Sequence, residues 1–147
     1  MGLPDLLARV EGATVGDGVL NRDIVVALTP GSKPYRYNAD LYSRRENGVW
    51  YTTHVPPVTT SIDAAVALIE RVMGGRQPGW TYNCRAAYDG RGSYNWFEIT
   101  WPSTECQGRG RTIALAACAS LLRAVQRDPA LLRAKIATGE GSSECKL

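Results

Sequence analysis

The chain predicts a mixed α/β fold of the α+β kind: one small, mainly antiparallel sheet with helices on both faces, an α/β/α sandwich. Three observations carry this expectation. Residues 80–88 and 94–101 are aromatic-rich runs joined by Asp89-Gly-Arg-Gly-Ser93, the pattern of a β-hairpin with a five-residue loop. Ile62, Ala65, Val66, Leu68, Ile69 and Val72 recur at helical spacing. Residues 113–125 are small or apolar on nearly every side, as a helix pressed closely against a sheet requires.

Taken in order, Leu6, Leu7 and Val10 follow Pro4 and Asp5 and predict a short helix over 3–10, with the proline tolerated in its first turn. Ile24, Val25 and Leu28 form a second stripe, for which Asn21 is a suitable cap and Pro30-Gly31 the stop. Residues 33–47 are polar and aromatic without a sustained period, so they read as a loop or an irregular edge. Asn47-Gly48 is a turn signal, after which residues 49–53 have strand composition until Pro56-Pro57. Thr60 or Ser61 caps the helix that begins at Ile62, Asp63 favours its positive end, and Gly74-Gly75 closes it. In the hairpin, Trp80, Tyr82, Cys84, Ala86 and Tyr88 share one face, and Phe97, Ile99 and Trp101 are set against Tyr94, Trp96, Glu98 and Thr100. After the core helix, Asp128-Pro129 starts a last short helix through Ile136.

The length of 147 residues suits one domain burying about two thirds of its unfolded surface, placed at 1–138 and followed by a flexible tail over 139–147. With 44% hydrophobic and 21% charged residues, the composition is that of a folded globular chain. The net charge of +3 comes from scattered arginines rather than a basic run, which favours a small anionic ligand over a nucleic-acid track; sequence-specific nucleic-acid binding is not expected. Neither a membrane span nor an export signal is apparent. Cys84, Cys106, Cys118 and Cys145 form no C-x-x-C pair and there is a single histidine, so no metal site and no cofactor are expected; the cysteines are read as reduced and the protein as intracellular.

Residues 51–53, the run Thr60-Ser-Ile-Asp-Ala-Ala-Val-Ala-Leu68, the pair Gly79-Trp80 and the run from Thr112 to Ala124 together resemble the phage ABA sandwich domain family over about residues 49–126. That resemblance implies a bacteriophage or prophage source, an α/β/α layered sheet and a location in the cytoplasm of the infected bacterium. It implies no catalytic residues. The chain departs from the family where Ile113 replaces the proline after the helix-starting threonine, and in arginine-containing insertions at 31–48 and 105–111.

Three groups of residues are candidates for chemistry. In Gly108-Arg-Gly-Arg-Thr112, a glycine loop opening a helix offers backbone N–H groups to an anion, Arg109 and Arg111 offer charge-assisted bonds, and Thr112 is either ligand or cap. The motif lacks the Gly-Lys-Ser/Thr ending of a Walker A loop, and a solvated loop with a capping threonine explains it equally. Tyr51, Thr53 and His54, with Thr60 and Ser61, gather hydroxyls, a ring and an imidazole before another helix start; a strand edge followed by a capped helix is the alternative. The third group is Trp50, Trp80, Trp96 and Trp101 with Arg36, Arg44, Arg85 and Arg91, which suit base stacking and phosphate binding or a protein interface, although Trp80 and Trp101 fall on faces expected to be buried.

The expected function is that of a non-enzymatic binding protein, oligomeric and phage-encoded, that sequesters a small phosphorylated nucleotide-type ligand such as a host immune signal. Two other classes stay open. One is an enzyme degrading such a signal, with His54 and Asp63 or Glu98 as acid and base. The other is a module that grips a host or virion protein through loop 31–48 and exposed aromatics.

Overall fold

The computed structural model describes residues 2–73, 80–88, 90, 92–101 and 104–132. Its fold is mixed α+β with antiparallel strands, but the strands divide between two three-stranded sheets instead of forming one. Helix α1 (Leu3–Gly12) and helix α2 (Gly18–Ala27) lead into strands β1 (Lys33–Pro34), β2 (Leu41–Glu46) and β3 (Val49–His54), which pair in the order β1-β2-β3. Helix α3 (Ile62–Met73) follows. Strands β4 (Thr81–Tyr88), β5 (Ser93–Trp101) and β6 (Thr104–Gly110) form the second sheet in that order, and helix α4 (Ile113–Arg127) returns over it.

The division has a local cause. Strand β3 finds its partner in β2, inside the segment 33–47 that composition reads as a loop. Asn47 and Gly48 join them with φ of 53° and 79°, the two left-handed residues of a tight hairpin turn whose twist matches the flanking strands. The run Leu41-Tyr-Ser-Arg-Arg-Glu46 has no apolar alternation because only Tyr42 and Ser43 are buried, so β2 leaves almost no periodic trace.

The core lies between the second sheet and the helices. Phe97, Ile99 and Trp101 on β5 and Cys106 on β6 are buried beneath α4, which contacts both strands. α1 and α3 pack against α4 in turn, and α1 packs on α2. Among the described residues the helices that contact this sheet gather on the α4 side, where helices on both faces were expected. On the other side Asn83, Arg85, Glu105, Gln107 and Arg109 are exposed, and Tyr94, Trp96, Glu98 and Thr100 are half-buried.

Glycine sets the distance between β6 and α4. A Cβ at Gly108 would fall 2.5 Å from the Ala116 carbonyl oxygen and closer still to the Ser120 amide, and one at Gly110 would fall 2.7 Å from the Ala116 amide. Only hydrogen fits there. The small residues of α4 answer from the other side, with Ala116, Ala117, Ala119 and Ser120 fully buried. Ser120 Oγ donates to the Cys106 carbonyl at 3.1 Å, and Arg127 Nη1 donates to the Glu105 carbonyl at 2.8 Å, so the helix is tied to its strand at two levels.

The caps differ partly from expectation. α2 is capped by Asp17, whose carboxylate accepts from the Leu20 amide at 2.7 Å. Asn21 lies within that helix instead, buried, where Oδ1 accepts from the Thr59 amide at 2.8 Å and from the Thr59 hydroxyl. Ser61 caps α3, its Oγ accepting from the Ala64 amide at 3.2 Å. Residues 130–132 begin a helical turn; the closure at Gly74-Gly75, Arg91, the rest of the last helix, the 139–147 tail and Cys145 lie outside the described residues.

Candidate functional site

The Gly-Arg-Gly-Arg stretch is not the phosphate loop that its composition suggests. Residues 104–110 form strand β6, and strand alternation sends Cys106, Gly108 and Gly110 toward α4 while Glu105, Gln107 and Arg109 face solvent. The glycines therefore serve helix packing rather than the approach of a phosphate. Thr112 is the N-cap of α4, with Oγ1 accepting from the Leu115 amide at 3.1 Å and its carbonyl from the Ala116 amide at 3.0 Å. Its side chain is taken up by capping. Asn95 Nδ2 donates to the Arg111 carbonyl at 2.9 Å and holds the turn between β6 and α4 against β5.

Arg109 joins a larger constellation on the open sheet face. Its guanidinium lies 3.7 Å over the Tyr94 ring. On Arg109's own rung, Arg85 of β4 lies 4.8 Å over the ring of Trp96, so Arg85, Trp96 and Arg109 are successive partners across the three strands. The next rung is polar: Asn83, Glu98 and Gln107, with Gln107 Nε2 donating to Glu98 at 3.0 Å. At the end nearest the β4–β5 turn, Gly92, Ser93, Tyr94, Arg109, Gly110 and Arg111 line a cleft of about 390 Å³ together with Glu11 from α1. The Glu11 carboxylate accepts from Arg123 Nη2 at 2.7 Å, which offsets its charge on that rim.

The second cluster is dispersed. Tyr51 and Thr53 share one face of β3, opposite Arg44 and Tyr42, and Arg44 lies 5.7 Å over the Tyr51 ring. Arg44 also donates to Glu46 at 2.6 Å, and that bond raises its already high pKa. His54 projects from the opposite face, exposed, on the side of Trp50, which Lys33 covers at 4.4 Å. Thr60 is exposed and donates to the Pro57 carbonyl at 3.4 Å, while Ser61 is the cap of α3. The structure thus brings Arg109 and Arg111 to one cleft with Tyr94, and places Tyr51, Thr53, His54, Thr60 and Ser61 elsewhere.

Among the described residues, no group of three or more His, Cys, Asp or Glu could hold a metal ion, and no helix is long and apolar enough to cross a membrane. Burial pushes the Cys118 thiol up to about 12, with its sulfur 3.3 Å from the Val58 carbonyl; a thiol so placed is a packing residue and not a nucleophile. Cys106 is buried and Cys84 half-buried, both as free thiols. Trp96 and Arg85 belong to the aromatic and arginine set that composition singles out; Tyr94, and the placement of all three on one face, come only from hairpin register. No family model, curated protein or solved structure matches the chain.

Proposed function

We propose that this chain is a non-enzymatic binding protein for a small phosphorylated ligand of nucleotide type, held at the Tyr94–Arg109–Arg111 cleft. The observation that carries the reading is the stacking of Arg109 on Tyr94 beside Arg85 on Trp96, on one open sheet face. A planar base is recognised by just such aromatic and guanidinium planes, and a phosphate by arginine forks. Arg111, at the mouth of the cleft, supplies a second cation, and the 390 Å³ volume is in the range of small-ligand sites.

The setting proposed with this reading, a phage protein that removes a host immune signal in the infected cell's cytoplasm, rests on the sequence resemblance noted over residues 49–126 alone. The enzymatic reading is less well supported, because the Glu98 carboxylate is engaged by Gln107 in one sheet and His54 stands exposed at the end of β3 in the other. The test is to incubate the protein with cyclic dinucleotides and with cyclic signals derived from ADP-ribose, denature it by heat, and analyse what is released. Intact ligand is the expected result. Altered ligand would replace sequestration by catalysis, and failure to deplete any of these signals would overturn the reading in favour of protein binding.

A further inference from the structure

Strand β4 is an edge with the features of an unfinished sheet. It spans eight residues, pairs among the described residues with β5 alone, and keeps an unbroken register from Thr81 to Tyr88. It contains no proline or bulge, and its one charged side chain, Arg85, lies over the Trp96 ring. α4 lies over β5 and β6, and at the β4 end of the core face Tyr82, Ala86 and Tyr88 are exposed. On that face Trp80 stacks on Tyr82 and Tyr82 on Phe97, a run of rings from edge to core. Tyr82 is nevertheless 47% exposed and Tyr88 74% exposed.

We propose that β4 pairs antiparallel with β4 of a second copy about a two-fold axis at Cys84, joining two three-stranded sheets into one of six strands. The register follows from side-chain chemistry. Alternation requires each residue to oppose one on its own face, so the axis must pass through a residue, and only Cys84 or Arg85 lies at the strand's centre. An axis at Arg85 would set two guanidinium groups directly opposite one another, a repulsive pairing. An axis at Cys84 places Arg85 against the partner's Asn83, Tyr82 against the partner's Ala86 and Trp80 against the partner's Tyr88. The pairing matches charge to neutral acceptor, large side chain to small, and ring to ring. The strand is complementary to itself in that register, which is why the occupant is a second copy rather than another protein.

The proposal is independent of any ligand and is tested without one, by analytical ultracentrifugation. The wild-type chain is expected to sediment at about twice the 16.0 kDa of one chain. Asn83→Arg creates two opposed arginine pairs across the axis and is expected to weaken the dimer about tenfold or more. The exchange Asn83→Arg/Arg85→Asn restores complementarity and the dimer, and because both positions are exposed it also separates interface loss from misfolding. In a Cys145→Ser background, oxidation is expected to link the dimer through Cys84, since opposed residues in antiparallel strands lie about 4.5–5.5 Å apart, within disulfide reach. A monomer, a dimer indifferent to Asn83→Arg or not recovered by the exchange, or a dimer that does not cross-link through Cys84 overturns it.

Discussion

The two sheets use similar residues to opposite ends. In β4-β5-β6 one face is closed over β5 and β6 by α4, down to backbone contact at Gly108 and Gly110, and the other face displays Arg85, Trp96, Tyr94 and Arg109. In β1-β2-β3 burial is confined to Tyr42 and Ser43 of β2 among the described residues: every residue of β3 except Thr53 is exposed, with Lys33 and Arg45 over the Trp50 ring and Arg44 over the Tyr51 ring. A sheet with a sealed back offers its front as a rigid platform. A ribbon without one has aromatic rings but little to hold them in place, so aromatic and cationic composition alone does not identify a site; the backing does.

That contrast can be broken at several points. The largest effect is expected from Gly108→Ala, whose Cβ meets backbone atoms of α4 that cannot rotate away; a loss of about 3 kcal/mol or more in urea unfolding follows. Gly12→Ala, with open space around it, should change stability by less than about 1 kcal/mol in the same assay. Asn21→Ala removes the buried acceptor of the Thr59 amide and hydroxyl and should cost about 1–3 kcal/mol, read as a lowered melting temperature. Thr112→Ala should cost about 1 kcal/mol through its cap, again in urea unfolding, while Thr112→Ser retains most of that stability. Trp50→Ala in the open ribbon should cost below about 1 kcal/mol, despite the size of the ring removed.

The hairpin and the core helix were legible because long periodic runs report burial directly: α4 begins at Ile113 after the expected threonine cap, and α3 begins at Ile62. What escaped was set by contacts distant in sequence. Strand β6 has glycines where a strand signal needs apolar side chains, since α4 comes too close for any, so its inward face reads as a loop. β2 is recognisable only through its partner across Asn47-Gly48. The platform depended on one residue of register: a loop over 89–93 sets Tyr88 against Tyr94, whereas Tyr88 opposes Ser93, which puts Trp96 beside Arg85 and Tyr82 over Phe97. Arg109 and Arg111 were legible as a pair of cations, while the stacking of Arg109 on Tyr94 was not.

The central claim is that on β6 the inward residues build the fold and the outward Arg109 binds ligand. Calorimetric titration of wild type and Arg109→Ala with a cyclic dinucleotide, alongside urea unfolding of both, tests it most directly. The account predicts an affinity loss of about 1.5–3 kcal/mol with stability changed by less than about 1 kcal/mol. Equal affinity in the two proteins, or an affinity loss matched by unfolding, would contradict it.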